Sequence, residues 1–552
     1  MALTLLFLLM LSWTLHSSSH AVTVRPPRHP STISVDGTTP PGVGVPLDAF
    51  VSFSIEFSSF PDFAGNSSNP NTFSNNLLNN LGNLTGSKPI VRVGGNTQDY
   101  AIFNSSLLDL ATVGIFDPEI SPDYPTTLTF GPKYFESYHT FPDVKFVHGY
   151  NLGRNSSAAR NALIESVSYA CKALRDGRLL YWELGNEPDL YSTSAQGAVR
   201  PPNWNERWYV RQWLHWTGEI REAMEGPCPN LATPEKYKYY APSFANTDAT
   251  LNPVVTWREG INRDNDIAII SSHNYINGAD EPGVTLQGTL MNHSSNVASI
   301  ALQLNESRLL SGLPYKLNPD LPFILGETNS LYNQGRPGLS NTFGAALWGV
   351  DFNLWCATNN IQRVHMHQGT NYRYQAWQPI DTNKVAKGTK APYYGSIAVA
   401  SFLGDIVTAT PSITNLPLPD EQESAYAAYV DGKLDRIIVI NMMEYNATAG
   451  NRYINHYPRP IEQYRFQLPE GCHGEAGVQR LMANGSDAIT GVTFDGYSYN
   501  WELDNGMPVL LHNITRGETV TVSEGGKMSI DVPRSSAVIV ELKHGNRPQG
   551  LS

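Results

Sequence analysis

The chain has 552 residues, of which 41% are hydrophobic and 16% are charged, and its formal net charge is −12. This length exceeds that of a typical single domain, so two domains with well-filled cores are expected. An acidic chain without a Lys/Arg cluster argues against nucleic acid, and against strongly anionic polymers, as the partner.

The first 21 residues have the pattern of a secretory signal peptide. Leu3 to Leu15 form a short, mostly apolar segment, and Ser19-His20-Ala21 offers a small-residue cleavage site. The apolar segment is shorter than the ~20 residues of a membrane span, so we expect a secreted protein without a membrane anchor. Nine Asn-X-Ser/Thr sequons favour export and glycosylation: Asn66, Asn83, Asn104, Asn155, Asn292, Asn305, Asn446, Asn484 and Asn513.

Residues 46–394 alternate between strand-like and helix-like segments. Eight βα units in series predict an α/β fold, a (β/α)8 TIM barrel. A doubly wound open sheet is the alternative, and the lack of a Gly-rich phosphate loop after the strands disfavours it. The candidate strands are Phe50–Phe57, Pro89–Gly94, Val144–Tyr150, Leu179–Asn186, Lys238–Phe244, Ile267–Tyr275, Pro322–Glu327 and Ile361–His367. The candidate helices are Asn161–Arg175, Trp208–Glu225, Leu286–Leu310 and Thr342–Thr358, of which the last is apolar nearly all round and should be buried.

Residues 395–552 carry short β-rich segments separated by Gly, Pro, Asn and Asp. This pattern predicts a second domain, an antiparallel β-sandwich. The amino-terminal segment 22–45, through the strand-like Thr32–Val35, is expected to join that sandwich. The candidate strands are Tyr426–Tyr429, Arg436–Met442, Tyr464–Leu468, Gly491–Phe494, Glu518–Val522 and Ser535–Leu542.

The chain has four cysteines, Cys171, Cys228, Cys356 and Cys472. An oxidising compartment permits disulfides, and the three possible pairings stay open. His273, His365 and His367 lack a carboxylate partner at metal-binding spacing. We interpret them as sugar contacts or as buried, hydrogen-bonded histidines, and expect no metal and no cofactor.

Polar and ionisable residues stand at the carboxyl ends of several predicted strands, where barrel enzymes carry their functional groups. Such a concentration predicts an active site rather than an inactive barrel. The groups are Arg92 to Asn96 at the end of strand two, Asn186-Glu187 at the end of strand four, His273-Asn274-Tyr275 at the end of strand six, Glu327 at the end of strand seven and His365 to Gly369 at the end of strand eight.

Two of these residues, Glu187 and Glu327, form a candidate acid/base pair. Glycoside hydrolysis uses two carboxyl groups, one protonated to donate to the leaving oxygen and one ionised to attack the sugar. We assign Glu187 as general acid/base and Glu327 as nucleophile.

Other strand-end residues are assigned supporting roles. Asn186 is expected to hydrogen-bond a sugar hydroxyl, while Arg92 and Tyr275 hold Glu327 ionised. Glu183 lies deeper along strand four and is interpreted as an interior polar residue rather than as the acid.

At these residues the chain resembles clan A of the glycoside hydrolases and, more narrowly, family 79, which holds β-glucuronidases and heparanases. The resemblance covers nearly the whole mature chain, and the run from Glu327 to Asn333 is its most family-specific part. It implies a retaining mechanism with the two carboxyl groups ~5–5.5 Å apart. The matching segments are residues 52–57, 92–96, 183–188 and 326–330, together with the carboxyl-terminal β-sandwich.

The resemblance also implies that Tyr332, just past the nucleophile, contacts a glucuronate carboxylate together with neighbouring loop groups such as Asn333. Tyr372 and Tyr374, after strand eight, are further candidates, and the choice between them stays open. Tyrosine hydroxyls and backbone N–H groups can bind a carboxylate without a dedicated arginine. The cationic candidates are Arg336 and Arg373.

Within the family, an exo-acting β-glucuronidase is favoured over a heparanase-like endo-acting enzyme. Densely sulfated heparan sulfate calls for a basic cleft, which a net charge of −12 does not suggest. The expected partner is a carbohydrate, with glucuronic acid or its 4-O-methyl ether released from glycans or small glucuronides. A clan A exo-glycosidase for a neutral sugar would also fit these residues, and so, less well, would a carbohydrate-binding protein on an inactive barrel. The oligomeric state is not indicated.

Overall fold

The structure, a computed structural model, describes residues 32–194, 197–247, 249–314, 317, 319–449, 453–514 and 516–542. The signal peptide predicted for residues 1–21 lies outside the described residues, as do residues 22–31 of the amino-terminal segment and the last ten residues of the chain. None of the helices within the described ranges has the length and apolar character needed to span a bilayer.

Within the described residues, eight parallel strands close a barrel. The ring closes where β1 pairs with β8 through Val51 and Val364, and with β2 through Phe53 and Val91. Because helices cover the outside of such a barrel and side chains fill the inside, β1 and β5 are buried along their whole length. The predicted (β/α)8 barrel is confirmed. Its strands are β1 Val51–Glu56, β2 Val91–Gly94, β3 Phe146–Tyr150, β4 Leu179–Leu184, β5 Tyr239–Phe244, β6 Ile267–Gly278, β7 Phe323–Tyr332 and β8 Val364–Gln368.

The outer layer of the barrel consists mainly of α-helices. Helix α7 is buried on nearly every face, as its apolar sequence predicts, because it packs against α8 and against the second domain. The prediction of a single helix over 286–310 is wrong. A helical turn over Leu286–Leu290 and two separate helices take its place. The break occurs because the Asn292 side chain accepts a hydrogen bond from Ser295 N and caps a new helix there. The α-helices of six or more residues are α1 Thr72–Thr85, α2 Ser157–Leu174, α3 Glu206–Glu225, α4 Pro253–Arg258, α5 His293–Ser299, α6 Ala301–Ser311, α7 Phe343–Thr358 and α8 Ala391–Leu403.

The connection from β2 to β3 differs from a simple helical crossover. It contains two 3-10 helices, Asn96–Tyr100 and Pro132–His139, on either side of a small three-stranded sheet. Because this connection begins at the carboxyl end of β2, it forms one wall of the cavity at the mouth of the barrel. The strands of its sheet are Ala101–Phe103, Thr112–Ile115 and Thr127–Phe130.

The carboxyl-terminal part of the chain forms the predicted β-sandwich. Its two sheets enclose a core that includes Tyr464, Phe466 and Val538. Ile33–Ser34 pairs with Ile461–Gln467 in parallel, so the amino-terminal segment contributes a strand to this domain. The large sheet contains Ser412–Asn415, Glu423–Val430, Lys433–Asn441, Gly474–Met482, Thr493–Phe494, Tyr497–Ser498, Val509–Leu510, Glu518–Val522 and Ser536–Glu541, and the small sheet contains Ile33–Ser34, Ile461–Gln467 and Lys527–Pro533.

The two domains are packed directly against each other. The boundary predicted at residue 394 falls inside α8, which lies between α1 and α7 on the barrel and also contacts the sandwich. Asp351 on α7 accepts a hydrogen bond from the Tyr426 hydroxyl at 2.6 Å across the interface. Of the three disulfide pairings left open by the sequence, the structure forms Cys171–Cys228, which links α2 to the segment after α3.

Candidate active site

The two glutamates assigned from the sequence lie together at the mouth of the barrel. Glu187 follows β4 and Glu327 lies within β7. One carboxylate oxygen of each, and one ring nitrogen of His273, all lie within 4.8 Å of one another. Two carboxyl groups this close can act on the same glycosidic bond, one on the carbon and one on the leaving oxygen.

The backbone that presents Glu187 is held in an uncommon conformation. Glu187 has φ 50° and ψ 51°, the left-handed region, which costs a non-glycine residue ~1–3 kcal/mol. Two hydrogen bonds oppose this cost: Glu187 N donates to Ser243 O at 3.0 Å, and Asn186 N donates to Asp99 Oδ2 at 2.8 Å. Asp99 is buried and also accepts from the backbone N–H of Leu152 and of Gly153. It thereby ties the ends of β2, β3 and β4 together beneath the acid.

Arg92 on β2 is fully buried at the centre of the site and forms ion pairs with Glu183 and Glu327. Its guanidinium contacts Glu183 Oε2 at 2.7 Å and Glu327 Oε2 at 2.6 Å. It also donates to Asn186 Oδ1 at 2.7 Å and to Ser54 Oγ at 3.0 Å. A planar guanidinium can reach four acceptors in this way, whereas a lysine cannot. Glu183 is therefore an interior ion-pair partner of Arg92, and the amide of Asn186 is oriented by the same group.

Glu327 is surrounded by groups that stabilise its ionised form. The Tyr275 hydroxyl donates to Glu327 Oε1 at 2.8 Å, and His367 Nδ1 lies 3.6 Å from Oε2. Burial alone would raise the pKa of Glu327, but the charges of His367 and Arg92 and the hydrogen bond from Tyr275 outweigh it and lower the pKa below its ordinary range. Glu327 is thus a carboxylate over the pH range in which glycosidases work, as a nucleophile requires.

Glu187 lies in the opposite electrostatic situation. Burial raises its pKa first of all, and the nearby charge of Glu327 raises it further, while Arg92 opposes the shift only in part. Its hydrogen-bond partner, His273 Nδ1 at 3.0 Å, gives no lasting positive charge, because burial lowers the pKa of His273 to about 4. Glu187 therefore retains a proton to higher pH than an ordinary glutamate and can act as the acid.

The same cluster offers three possible metal-ligand atoms, from Glu187, His273 and Glu327. The Arg92 guanidinium at 2.6 Å already neutralises Glu327, so a cation would meet a fixed positive charge beside its ligands. The donor set fits acid/base chemistry better than metal binding.

The glutamates open into a cavity of about 500 Å³. Glu56, at the carboxyl end of β1, lies in its wall and was not identified from the sequence. It accepts hydrogen bonds from Thr97 N at 2.8 Å and from the Tyr372 hydroxyl at 3.0 Å. The strand-end rule that identified Glu187 and Glu327 applies equally to Glu56, so the signal was present. The remaining walls come from the β2–β3 connection, from Tyr275 on β6 and His367 on β8, and from the loops after β3, β4, β5, β7 and β8.

Comparisons with known proteins agree with this geometry. Residues 425–539 match the model of the glycosyl hydrolase family 79 C-terminal beta domain. A β-glucuronidase of Aspergillus niger is 55% identical over 522 residues, which cover 93% of this chain and 95% of the relative. A β-glucuronidase of Neurospora crassa is 52% identical over 543 residues, which cover 92% and 96%. The chain belongs to glycoside hydrolase family 79.

Solved structures of lower identity support the fold of this family 79 chain. A 4-O-α-L-rhamnosyl-β-D-glucuronidase from Fusarium oxysporum aligns with a TM-score of 0.72 at 24% identity and covers 93% of this chain and 100% of its own. A GH51 arabinofuranosidase from Xanthomonas axonopodis pv. citri aligns with a TM-score of 0.55 at 16% identity, covering 93% and 99%. The family resemblance inferred from the motifs is confirmed.

The candidate carboxylate contacts separate into two groups. Tyr332, Asn333 and Tyr374 line the cavity. Tyr372 is buried behind it with its hydroxyl on Glu56, and Arg373 is paired with Asp123 at 2.5 Å. Of the two tyrosines after β8, Tyr374 is therefore the one that faces the cavity in this family 79 protein.

The three strand-end histidines also have different surroundings. His273 contacts Glu187, and His367 lies in the cavity wall, where its Nδ1 is 2.8 Å from Ser54 Oγ. His365 is fully buried beneath the site, with its ring nitrogens near Phe53 O and the Tyr240 hydroxyl.

Proposed function

We propose that the protein is a secreted, retaining exo-β-glucuronidase that removes terminal β-linked glucuronic acid, or its 4-O-methyl ether, from glycans or small glucuronides. The observation that carries the proposal is the Glu187–Glu327 pair, two carboxyl groups in one cavity with pKa values shifted in opposite directions. The two relatives at 55% and 52% identity, both β-glucuronidases, support the choice of sugar.

The proposed mechanism is a double displacement. Glu327 attacks the anomeric carbon and forms a glycosyl ester with it. At the same time Glu187 gives its proton to the leaving oxygen, which departs as the alcohol. Glu187 then takes a proton from water, whose oxygen attacks the anomeric carbon and frees Glu327. The separation of at most 4.8 Å between nearest carboxylate atoms supports this route, because inverting enzymes keep their carboxyl groups ~6.5–9.5 Å apart to admit a water.

The charged residues of the cavity wall argue against a densely sulfated polymer as the substrate. Of the described residues that line it, Arg154 is the one with a Lys or Arg side chain, whereas Glu56, Asp99, Glu187 and Glu327 are acidic. A sulfated chain would meet repulsion in such a cavity, which disfavours the heparanase-like alternative. The Tyr332 and Tyr374 hydroxyls are neutral groups that can donate to the substrate carboxylate.

Secretion is supported by the positions of the sequons. Seven of the nine asparagines are exposed, Asn446 is half-buried and Asn292 is buried. A chain that passes through the secretory pathway could carry glycans at the exposed positions without disturbing the fold.

The test compares hydrolysis of aryl β-glucuronide, β-glucoside and β-xyloside by the secreted protein and by Glu327→Gln. We expect selective cleavage of the glucuronide, loss of turnover in the variant with substrate binding retained, and the β-anomer as the first product seen by NMR. Preference for a neutral glycoside would instead support the clan A alternative, and the α-anomer would refute retention.

A further inference from the structure

Tyr332, the expected carboxylate contact, is already hydrogen-bonded to a carboxylate of the protein. Its hydroxyl donates to Glu281 Oε1 at 2.9 Å. Glu281 lies in the loop after β6 and is exposed, and Tyr332 is 40% exposed at the rim of the cavity. A tyrosine hydroxyl has a single hydrogen, so it can donate to only one acceptor at a time.

The Tyr332 ring packs on one side against the end of β6. Tyr332 ends β7 beside Gly278, the last residue of β6, and its backbone O accepts from Ala279 N at 3.1 Å. The ring covers Gly278 so closely that a Cβ there would lie 2.5 Å from a ring carbon. When the acceptor changes, the exposed side chain of Glu281 is therefore the part that moves, and the hydroxyl stays at the rim.

The charge of Glu281 is not neutralised by a neighbouring cation. Among the described residues, neither Glu281 nor the adjacent Asp280 forms an ion pair. Partial burial, and then the hydrogen bond and the charge of Glu281, raise the pKa of Tyr332, so its hydroxyl stays protonated and remains a donor. An anionic substrate that approaches Tyr332 thus meets a competing anion at the same hydrogen.

We propose that Glu281 is a specificity-determining residue, an internal competitor that occupies the Tyr332 hydroxyl in the free protein and must release it when the glucuronate carboxylate binds. The inference rests on the proposed function, since it needs an acidic sugar at Tyr332. It explains how an acidic rim can serve an acidic substrate: affinity for both substrate and product is kept moderate, which favours release of the glucuronate product.

The test measures KM for aryl β-glucuronide and the inhibition constant of glucuronate in Glu281→Gln and Glu281→Ala. At this hydroxyl the Glu281 carboxylate and a substrate carboxylate would lie ~5 Å apart, so removing the charge of Glu281 near the solvated rim should lower both constants about tenfold. The value of kcat for the glucuronide should change little, because Glu281 does not touch the reacting carboxyl groups. Constants that stay unchanged or rise would overturn the proposal and make Glu281 a residue that orients Tyr332.

Asp280→Asn is the matched control, because it removes the neighbouring charge without removing the hydrogen bond. It should lower KM and the inhibition constant of glucuronate by a clearly smaller factor. An equal decrease would show that the effect comes from the general negative charge of the rim, and would refute competition for the hydroxyl. In a Tyr332→Phe background, Glu281→Gln should lower KM and the inhibition constant of glucuronate no more than the Asp280→Asn control does. The inhibition constant of glucose, a neutral probe, should not move, and a parallel fall would refute a charge-specific role.

Failure of this inference differs from failure of the proposed function. A protein that cleaves no glucuronide at all refutes the proposed function. A protein that cleaves glucuronide, and whose Glu281→Gln variant shows no fall in KM, refutes only the role of Glu281.

Discussion

Replacing Arg92 tests the electrostatic design of the site most directly. Arg92→Met removes the cation that pairs with the buried carboxylates of Glu183 and Glu327, while keeping an unbranched side chain of similar length. Arg92→Lys keeps the charge, but an ammonium group cannot reach Glu183, Glu327 and Asn186 together. The pair of variants therefore separates the charge of Arg92 from its geometry.

The expected loss of stability follows from the burial of the partners. Breaking a buried ion pair by removing one partner costs ~3–5 kcal/mol, a large part of a total stability of ~5–15 kcal/mol. The folded-state pKa of Glu327 is lowered, so its contribution to stability is present above the unfolded value of ~4.3 and is lost as pH falls through the folded value. In Arg92→Met the buried carboxylate of Glu327 loses its cation, so it is costly near neutral pH and is relieved by protonation in acid. The deficit should therefore be largest near neutral pH and should shrink as pH falls.

Two assays check this reasoning: urea unfolding at neutral and mildly acidic pH, and the pH dependence of kcat/KM for aryl β-glucuronide. In Arg92→Met the acidic limb of the activity profile should move to higher pH, because the pKa of Glu327 rises when burial is no longer opposed by the guanidinium. Arg92→Lys should lie between the wild type and Arg92→Met in both assays. A methionine variant with unchanged stability and an unmoved acidic limb would refute the assignment of Arg92 as the group that keeps Glu327 ionised.

Three further substitutions have expected outcomes. Glu187→Gln removes the proposed proton donor, so kcat on a natural glucuronoside should fall ~10²–10⁴-fold. An activated aryl glucuronide should lose much less in its first, glycosylation step, measured by burst kinetics. Cys171→Ser opens the Cys171–Cys228 disulfide, which spans 57 residues, and should cost about 4 kcal/mol in urea unfolding, whereas replacing the unpaired Cys472 should not. Asp351→Asn weakens the contact with Tyr426 between the domains and should cost ~1–3 kcal/mol in the free energy of unfolding. Burial would raise the pKa of Asp351, but its hydrogen bonds and His293 lower it. The loss should therefore be present near neutral pH and should vanish in acid.

The barrel could be predicted from the sequence because its strands are buried on both faces. Such strands are apolar segments bounded by polar strand ends and by Gly or Pro, and all eight lie within a few residues of their predicted positions. Elements with a weaker sequence pattern could not be predicted. Gly474–Met482 contains two glycines and an exposed polar face, so nothing in its composition marks a strand of the sandwich. The break at Asn292 depends on one capping hydrogen bond within an otherwise helical pattern.

The site divides in the same way. Glu187, Glu327, Arg92 and Tyr275 stand at strand ends, where the topology alone brings them together. Asp99 and Glu281, the acceptor of the Tyr332 hydroxyl, lie in the connections after β2 and β6. Asp99 contacts Asn186, 87 positions away in the chain, and Glu281 contacts Tyr332, 51 positions away. Sequence reasoning has no rule that pairs such loop residues, so these roles require coordinates.

The opposite behaviour of two identical side chains has a simple physical origin. Burial raises the pKa of both Glu187 and Glu327, so it cannot distinguish them. Arg92 and the Tyr275 hydroxyl bond to Glu327, whereas the hydrogen-bond partner of Glu187 is the neutral His273. The charge kept on Glu327 then helps to keep the proton on Glu187. In the proposed mechanism the charge of Glu327 disappears when Glu327 becomes an ester. The pKa of Glu187 therefore falls just after Glu187 has given up its proton. The Glu187 carboxylate is then ready to act as the base for the attacking water.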